Sequence, residues 1–514
     1  MAEFRSKVPP YGFPDTLDEQ EAALESHPMM ERLALSRAFL AGHRHRPIYH
    51  YVNPEGMLND PNGLCRWQGR WHLFYQGYPP EDPRQHWGHA VSEDLVHWRD
   101  LPYCIYPDPE ERCFSGATLA EDDRVIAMYH GTRAGNMVAV SSDPLLLNWT
   151  KLTGAPVIPM ARPGDPPLPY PVFDPCVWKQ GDSYYALSGG RIPEGPGGAL
   201  VAADYLFRSE DLEHWEYLHP FTENDRFTRV GDDGACPYFW PIGDKHMLLF
   251  FSHISGGQYL LGDYDTDRQK LVVTNGGKFN MGPAGPCGVH APSATPDGRD
   301  IIVIFNMNPG RRTAGWNQIM SLPRRLSLGE DGDVLQEPVE AVAACRRVRQ
   351  GGGPLTLPAN TEVELQGMGG DALEIQASIA PSDASMVELD VLRSPNREEF
   401  TRIAFYRDRG YRDRSSRGRH IESVVTLDTS YSTTAPDVRS RAPETACVLV
   451  GPDEPLELRV FVDKSIVEVF VNGRQCVAAR VYPDREDSLG ISFRSQGTAS
   501  EVTRLDVWEM GSIY

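Results

Sequence analysis

The sequence predicts an all-β protein, a β-propeller followed by a β-sandwich, with a short helical extension ahead of both. Three observations carry this expectation. From residue 46 onward, short aromatic and β-branched runs alternate with Gly, Pro, Asp and Asn, the texture of strands joined by turns. A strand, turn and Trp unit recurs: Ser92-Glu93-Asp94-Leu95-Val96-His97-Trp98 returns as Ser209-Glu210-Asp211-Leu212-Glu213-His214-Trp215, with a looser copy from Ser142-Asp143 to Trp149. Towards the carboxy terminus, 456–463 and 467–473 alternate polar and apolar residues, as half-buried antiparallel strands require.

The elements follow in order. Between Thr16 and Leu40 the apolar residues Leu17, Ala22, Leu24, Met29, Met30, Leu33, Leu35 and Phe39 are spaced closer to a helix than to a strand, and Pro28 should interrupt the run. This gives an amino-terminal extension over 1–45. The region 46–335 carries the repeated unit, at intervals of about fifty to sixty-five residues that suit propeller blades around a central channel. A duplicated sandwich would also repeat a unit, and the repeat alone leaves both open. Residues 326–348 read as a connection, with Gly351-Gly352-Gly353-Pro354 behind them, and 336–514 form the linker and sandwich. Within the sandwich, the stretch from Arg407 to Arg419 interleaves acids with its arginines and reads as a solvated loop.

Composition narrows the functional classes. The 514 residues, with 71 acidic against 50 basic side chains, carry a formal charge of −21, which argues against nucleic acid or an anionic membrane surface as partner and favours a neutral small molecule. No apolar run reaches membrane-spanning length, and the first residues show no charged segment leading into an apolar one, so neither a membrane partner nor a secretory leader is expected. Nine cysteines are scattered singly, with no C-x-x-C pair, which suits reduced thiols in the cytoplasm. The fifteen histidines show no metal-ligand spacing, so neither a metal nor a cofactor is expected.

Two isolated aspartates attract chemistry. Leu58-Asn59-Asp60-Pro61-Asn62-Gly63-Leu64 sets Asp60 among turn formers, which would hold its carboxylate in one direction. Phe173-Asp174-Pro175 repeats that make-up where a strand should end. In a propeller the inner strands converge on one axial pocket, so these carboxylates can meet there. Paired carboxylates with aromatic walls suit glycoside chemistry.

Further segments then make a resemblance specific. Asn59-Asp60-Pro61-Asn62-Gly63, Phe74-Tyr75-Gln76, His86-Trp87-Gly88-His89-Ala90, Phe114-Ser115-Gly116, Asp174-Pro175, Cys236-Pro237, Met320-Ser321-Leu322-Pro323-Arg324, Val462-Asp463-Lys464-Ser465 and Val467-Glu468-Val469-Phe470 run in order through most of the chain. Together they resemble the motifs of glycoside hydrolase family 32, the invertases, inulinases and levanases. The resemblance implies a five-bladed propeller with a carboxy-terminal sandwich, and release of fructose from β-fructofuranosides by a retaining mechanism. Asp60 would be the nucleophile, and Asp174 would stabilise the transition state while staying ionised. Asn59, Gln76, Trp87, Phe114 and Ser115 would line the sugar pocket, with positions 173, 235 and 236 beside them. The two catalytic carboxyls of a retaining enzyme lie about 5 to 5.5 Å apart.

Three positions depart from that pattern. The family's Glu-Cys-Pro is here Ala235-Cys236-Pro237, so the expected general acid is a methyl group. Asp233, two residues upstream and of the same strand parity, is the first substitute, and Asp232, brought in by a bulge at Gly234, is the second. Phe173 replaces an arginine that contacts fructose, and Met57 replaces a tryptophan; Arg191 could supply a substitute donor, though it reads first as a surface arginine. The rival expectations are a fructosyltransferase or related furanosidase on the same scaffold, or a sugar-binding propeller without catalysis.

Overall fold

The computed structural model describes residues 4–409 and 422–514. Its first large unit is a β-propeller of five sheets, each formed by consecutive strands. The inner strands are Leu58–Trp67, Cys113–Ala120, Pro175–Gln180, Ala235–Ile242 and Val289–Asp297. Each packs beside the next and the fifth returns to the first, closing a ring. Because the strands rise from the ring axis outward in chain order, residues at the starts of all five inner strands share one mouth.

The recurring Trp unit links the third strand of a sheet to its outer strand, and its chemistry explains its sequence. Asp94 accepts hydrogen bonds from the backbone of Val96 and His97 and from His97 Nδ1 at 2.7 Å, while Leu95 adopts φ 70°. Asp211 does the same for Glu213, His214 and His214 Nδ1, with Leu212 at φ 68°. In the looser copy Asp143 caps Leu147 and Asn148, and Leu146 takes φ 50°. A short acid that can bond the backbone two to five residues ahead makes the corner.

Helices Leu17–Glu25 and Pro28–Ala41 precede the propeller, and Pro28 occupies the first turn of the second helix, where its missing N–H costs nothing. Arg37 fixes that helix by bonding both oxygens of Asp100 and stacking 3.7 Å from the Tyr514 ring centroid. Among the described residues, no helix is long and apolar enough to cross a membrane.

The segment 326–348, expected to be a plain connection, is mostly ordered structure. Arg324–Leu328 and Val334–Pro338 form the outer hairpin of the fifth sheet, and Glu340–Cys345 is a 3-10 helix. Gly329 and Gly332, which suggest a linker, make the tight turn of that hairpin. The β-sandwich then buries one apolar core between sheets of seven and six strands. Of the Arg407 to Arg419 loop, residues 410–419 lie outside the described residues.

The sandwich hairpin Leu456–Asp463 and Ile466–Val471 is keyed into the propeller. Asp463 accepts from the backbone of Ile48, Tyr49 and His50 and stands 2.9 Å from His50 Nδ1. Glu468 accepts from Leu322 N and from Arg324 at 3.1 Å. Thus one carboxylate holds the chain entering the first sheet, and the other holds the fifth sheet beside it. All four charged or ionisable side chains are fully buried.

Candidate active site

Four of the five inner strands carry a register break at their start, at Leu58/Pro61, Cys113/Gly116, Ala235/Tyr238 and Val289/Pro292. Such breaks re-aim side chains and release backbone from pairing. Here they turn the opening residues of the inner strands towards the mouth of the ring. The expected tight turn around Asp60 is therefore corrected: the motif lies within the first inner strand, and the break falls at Pro61, which has no N–H to pair. Likewise Phe173-Asp174-Pro175 opens a strand and does not close one.

Asp60 is the hub. Its Oδ2 accepts from Ser115 Oγ at 2.6 Å and Gln76 Nε2 at 3.2 Å, and its Oδ1 lies 3.1 Å from His290 Nδ1. Asn306 reaches Oδ1 at 3.5 Å. Burial would raise this carboxyl, but the bonds and charge offered by His290 and Ser115 outweigh it and hold Asp60 below the usual range. It is thus ionised and aimed. Asn59 joins the same net, donating to Gln76 at 3.1 Å and accepting from Gln318 at 2.7 Å.

Asp174 faces Asp60 across the mouth. Cys236 Sγ sits between them, 3.8 Å from Asp60 Oδ2 and 3.4 Å from Asp174 Oδ2, and the Cys236 backbone N–H donates to Asp174 at 3.1 Å. That thiol is placed by a left-handed backbone, φ 50°. The expectation that Asp174 stays ionised needs correction. Burial, together with the charge of Asp60, pushes its carboxyl up to about 7, so near neutrality it carries a proton part of the time. The cysteine thiol itself is driven up by burial and by both carboxylates.

The wall beside Asp174 is apolar. Phe173 packs on the buried cluster of Ala235, Cys236, Phe251, Ala284 and Ala291. Its ring also lies 5.4 Å from His130, which in turn stands 6.2 Å from Phe114. Burial lowers His130 to about 4, so it is neutral and completes an aromatic wall.

Three expectations fail on geometry. Trp87 does not line a pocket: it is 0% exposed, lies under Gly63, and donates its indole N–H to Phe114 O. Asp232 is 0% exposed and fully engaged by Ser252, Ser255, Gln258 and the Arg229 backbone, so it has no free oxygen for a substrate. Asp233 is held below the usual range, because His253 outweighs its burial, and an ionised carboxylate is no proton donor. The strand begins only at Ala235, and Asp233 turns to His253 Nδ1 at 2.7 Å and the His253 backbone at 2.9 Å. Arg191 stands 3.8 Å from the same carboxylate, at the rim. Position 235 offers no second carboxyl at the spacing a retaining pair needs.

His290, Asn306, Gln318 and His253 complete the site without having stood out in the sequence. Only their position could have marked them: Asp60, Ser115, Asp174 and Ala235 all sit at the start of an inner strand, and His290 holds that place in the fifth.

Family models match this architecture along most of the chain. The glycosyl hydrolases family 32 N-terminal domain matches residues 50–338, and the glycosyl hydrolases family 32 C terminal matches 347–509. A levanase of Bacillus subtilis is 28% identical, over 91% of this chain and 71% of its own length. A sucrose-6-phosphate hydrolase of Escherichia coli is 27% identical, over 91% of this chain and 96% of its own. In fold, the chain resembles the crystal structure of fructan 1-exohydrolase IIa from Cichorium intybus, with a TM-score of 0.78 at 22% identity, over 91% of this chain and 98% of that one.

Proposed function

The chain belongs to glycosyl hydrolase family 32, and from that premise we propose that it is a retaining β-fructofuranosidase, its five sheets serving as five blades around the sugar site. The observation that carries this is Asp60, an ionised carboxylate held by Ser115, Gln76 and His290 where the inner strands converge. Asp60 attacks the anomeric carbon of a terminal β-fructosyl unit and forms a fructosyl-enzyme ester, which water then opens. Asp174, when ionised, stabilises the oxocarbenium-like state from the opposite side of the mouth, and the Phe114, His130 and Phe173 wall packs against sugar C–H surfaces. Sucrose and fructans are the substrate class, in keeping with the levanase and sucrose-6-phosphate hydrolase relatives. The nine cysteines, none in a disulfide and eight of them buried, support a cytoplasmic setting.

The test is fructose release from sucrose, inulin and levan by the intact chain and by Asp60→Ala. Loss of release in the variant, with the fold intact by circular dichroism, is expected. Equal rates would remove Asp60 from the nucleophile role.

A further inference from the structure

We propose that His253, oriented by Asp233, is the general acid and base of this site, in place of the carboxyl missing at position 235. This rests on the reading of Asp60 as nucleophile. Ala235 pairs with Phe251 across the sheet. Asp233 and His253 lie just beyond the ends of those two strands, Ala235–Ile242 and Lys245–Ser252, and bond to each other there. His253 therefore stands next to the strand end that carries Ala235.

The ring is fixed and available. Asp233 accepts from the His253 backbone at 2.9 Å and engages Nδ1 at 2.7 Å, leaving Nε2 without a protein partner among the described residues. The side chain is 55% exposed, open to an arriving sugar. Phe251 packs against both rings, edge-on to His253 at 5.1 Å and tilted to His290 at 4.0 Å by ring centroids, and the two histidine rings are 6.3 Å apart. His290 in turn touches Asp60.

The charges facing His253 favour the imidazolium. Asp233 is its direct partner, Asp174 and Asp60 act from the third and first inner strands, and Arg191 stands behind Asp233. The bond to Asp233 is the largest influence and burial opposes it, so His253 is held above the usual histidine range. An Asp that orients an imidazole and stabilises its cation is an established way to make histidine an acid–base catalyst. Asp204, the other carboxyl near this strand, lies beside Gly234 and is closed off from solvent at 3% exposure, with burial pushing it up to about 8, whereas His253 is open to an arriving sugar.

The step balances. As Asp60 forms its bond to the anomeric carbon, the glycosidic C–O bond breaks and its electron pair takes the Nε2 proton, releasing an alcohol. Neutral His253 then removes a proton from the water that attacks the same carbon, Asp60 departs as carboxylate, and the imidazolium is restored. Asp233 stays ionised and acts as a positioning residue.

The experiment compares kcat/KM for sucrose with that for 4-nitrophenyl β-fructofuranoside, whose phenolate leaves without a proton. His253→Gln is expected to lower the sucrose value by about a hundred- to ten-thousandfold and the activated fructoside by less than about tenfold. Azide, a nucleophile that needs no base, should raise kcat of the variant on the activated fructoside and yield fructosyl azide. Asp233→Asn should move the alkaline limb of the sucrose profile to lower pH. Unchanged sucrose turnover in His253→Gln, or equal loss on both substrates, overturns the proposal. Asp60→Ala is run beside them: its loss of both activities keeps the nucleophile reading standing whatever His253 does, and its survival would remove that reading instead.

Discussion

Restoring a glutamate at position 235 should harm the protein unless its neighbour changes too. Ala235 is 1% exposed and is walled by Phe173, Phe251, Ala284 and Ala291. A longer side chain there overpacks the cluster, at about 1–3 kcal/mol. Its carboxyl would also be buried without a donor, at about another 1–3 kcal/mol. The expected cost of Ala235→Glu is thus about 2–6 kcal/mol. At roughly 1 °C per kcal/mol for a common transition of a chain this long, the melting temperature should drop by about 2–6 °C. Phe173→Arg in the same chain removes the ring and supplies a guanidinium, and a charge-assisted hydrogen bond should return about 1.5–3 kcal/mol. The assay is a double-mutant cycle by thermal and urea unfolding, with both single variants and the pair. A single Ala235→Glu variant that melts with the parent, or a coupling energy near zero, would refute the reasoning, because it would mean that Phe173 and Ala235 do not share one packed space.

Two further outcomes follow from charge. Since only ionised Asp174 can stabilise positive charge on the sugar, and burial with the Asp60 charge pushes it up to about 7, the acidic limb of kcat/KM should have its midpoint near there, and Asp174→Asn should abolish that limb along with most of the rate; a limb centred near 4 in the parent would count against it. At the domain junction, Glu468 is held below its usual range because Arg324 and His50 outweigh burial, so its contribution is present above the ordinary carboxylate range and is lost as pH falls through the lowered value. For His50, burial is outweighed by Asp463 and Glu468, so its contribution is full below the ordinary histidine range and is lost as pH rises through the raised value. Glu468→Gln should cost about 3–5 kcal/mol near neutrality and flatten the acid side of a melting-temperature profile, and an unchanged profile would contradict the assignment.

Much of the site was legible because chemistry and local pattern coincided. Asp60, Asp174, Gln76, Ser115 and Cys236 stand in motifs with turn or strand signals around them, and the structure brings them within hydrogen-bond reach of one another. The repeated Asp-Leu-x-His-Trp corner was legible for the same reason. What escaped were residues whose meaning depends on closure of the ring. His290 in Val-His-Ala-Pro and Asn306 within a run of Ile and Phe carry no local sign of chemistry, and only the return of the fifth sheet beside the first sets them on Asp60. The parity count from Ala235 to Asp233 failed because the strand starts at Ala235 and Gly234 frees the chain before it. Trp87 misled because a conspicuous aromatic beside a predicted pocket serves equally well as its floor, and here it lies beneath Gly63.

The hairpin carboxylates Asp463 and Glu468 have a consequence for how this chain can come apart. A ring built from consecutive sheets has one junction that no peptide crosses, between the first sheet and the last. Here that junction is bridged by side chains from the other domain, one on each bank, with His50 and Arg324 as their buried counterparts. The sandwich is therefore less a passenger than a rivet. A propeller cut free of it would leave His50 and Arg324 without their acids at the one junction no peptide crosses, so the two units are expected to unfold in a common cooperative transition and neither to serve as a portable module.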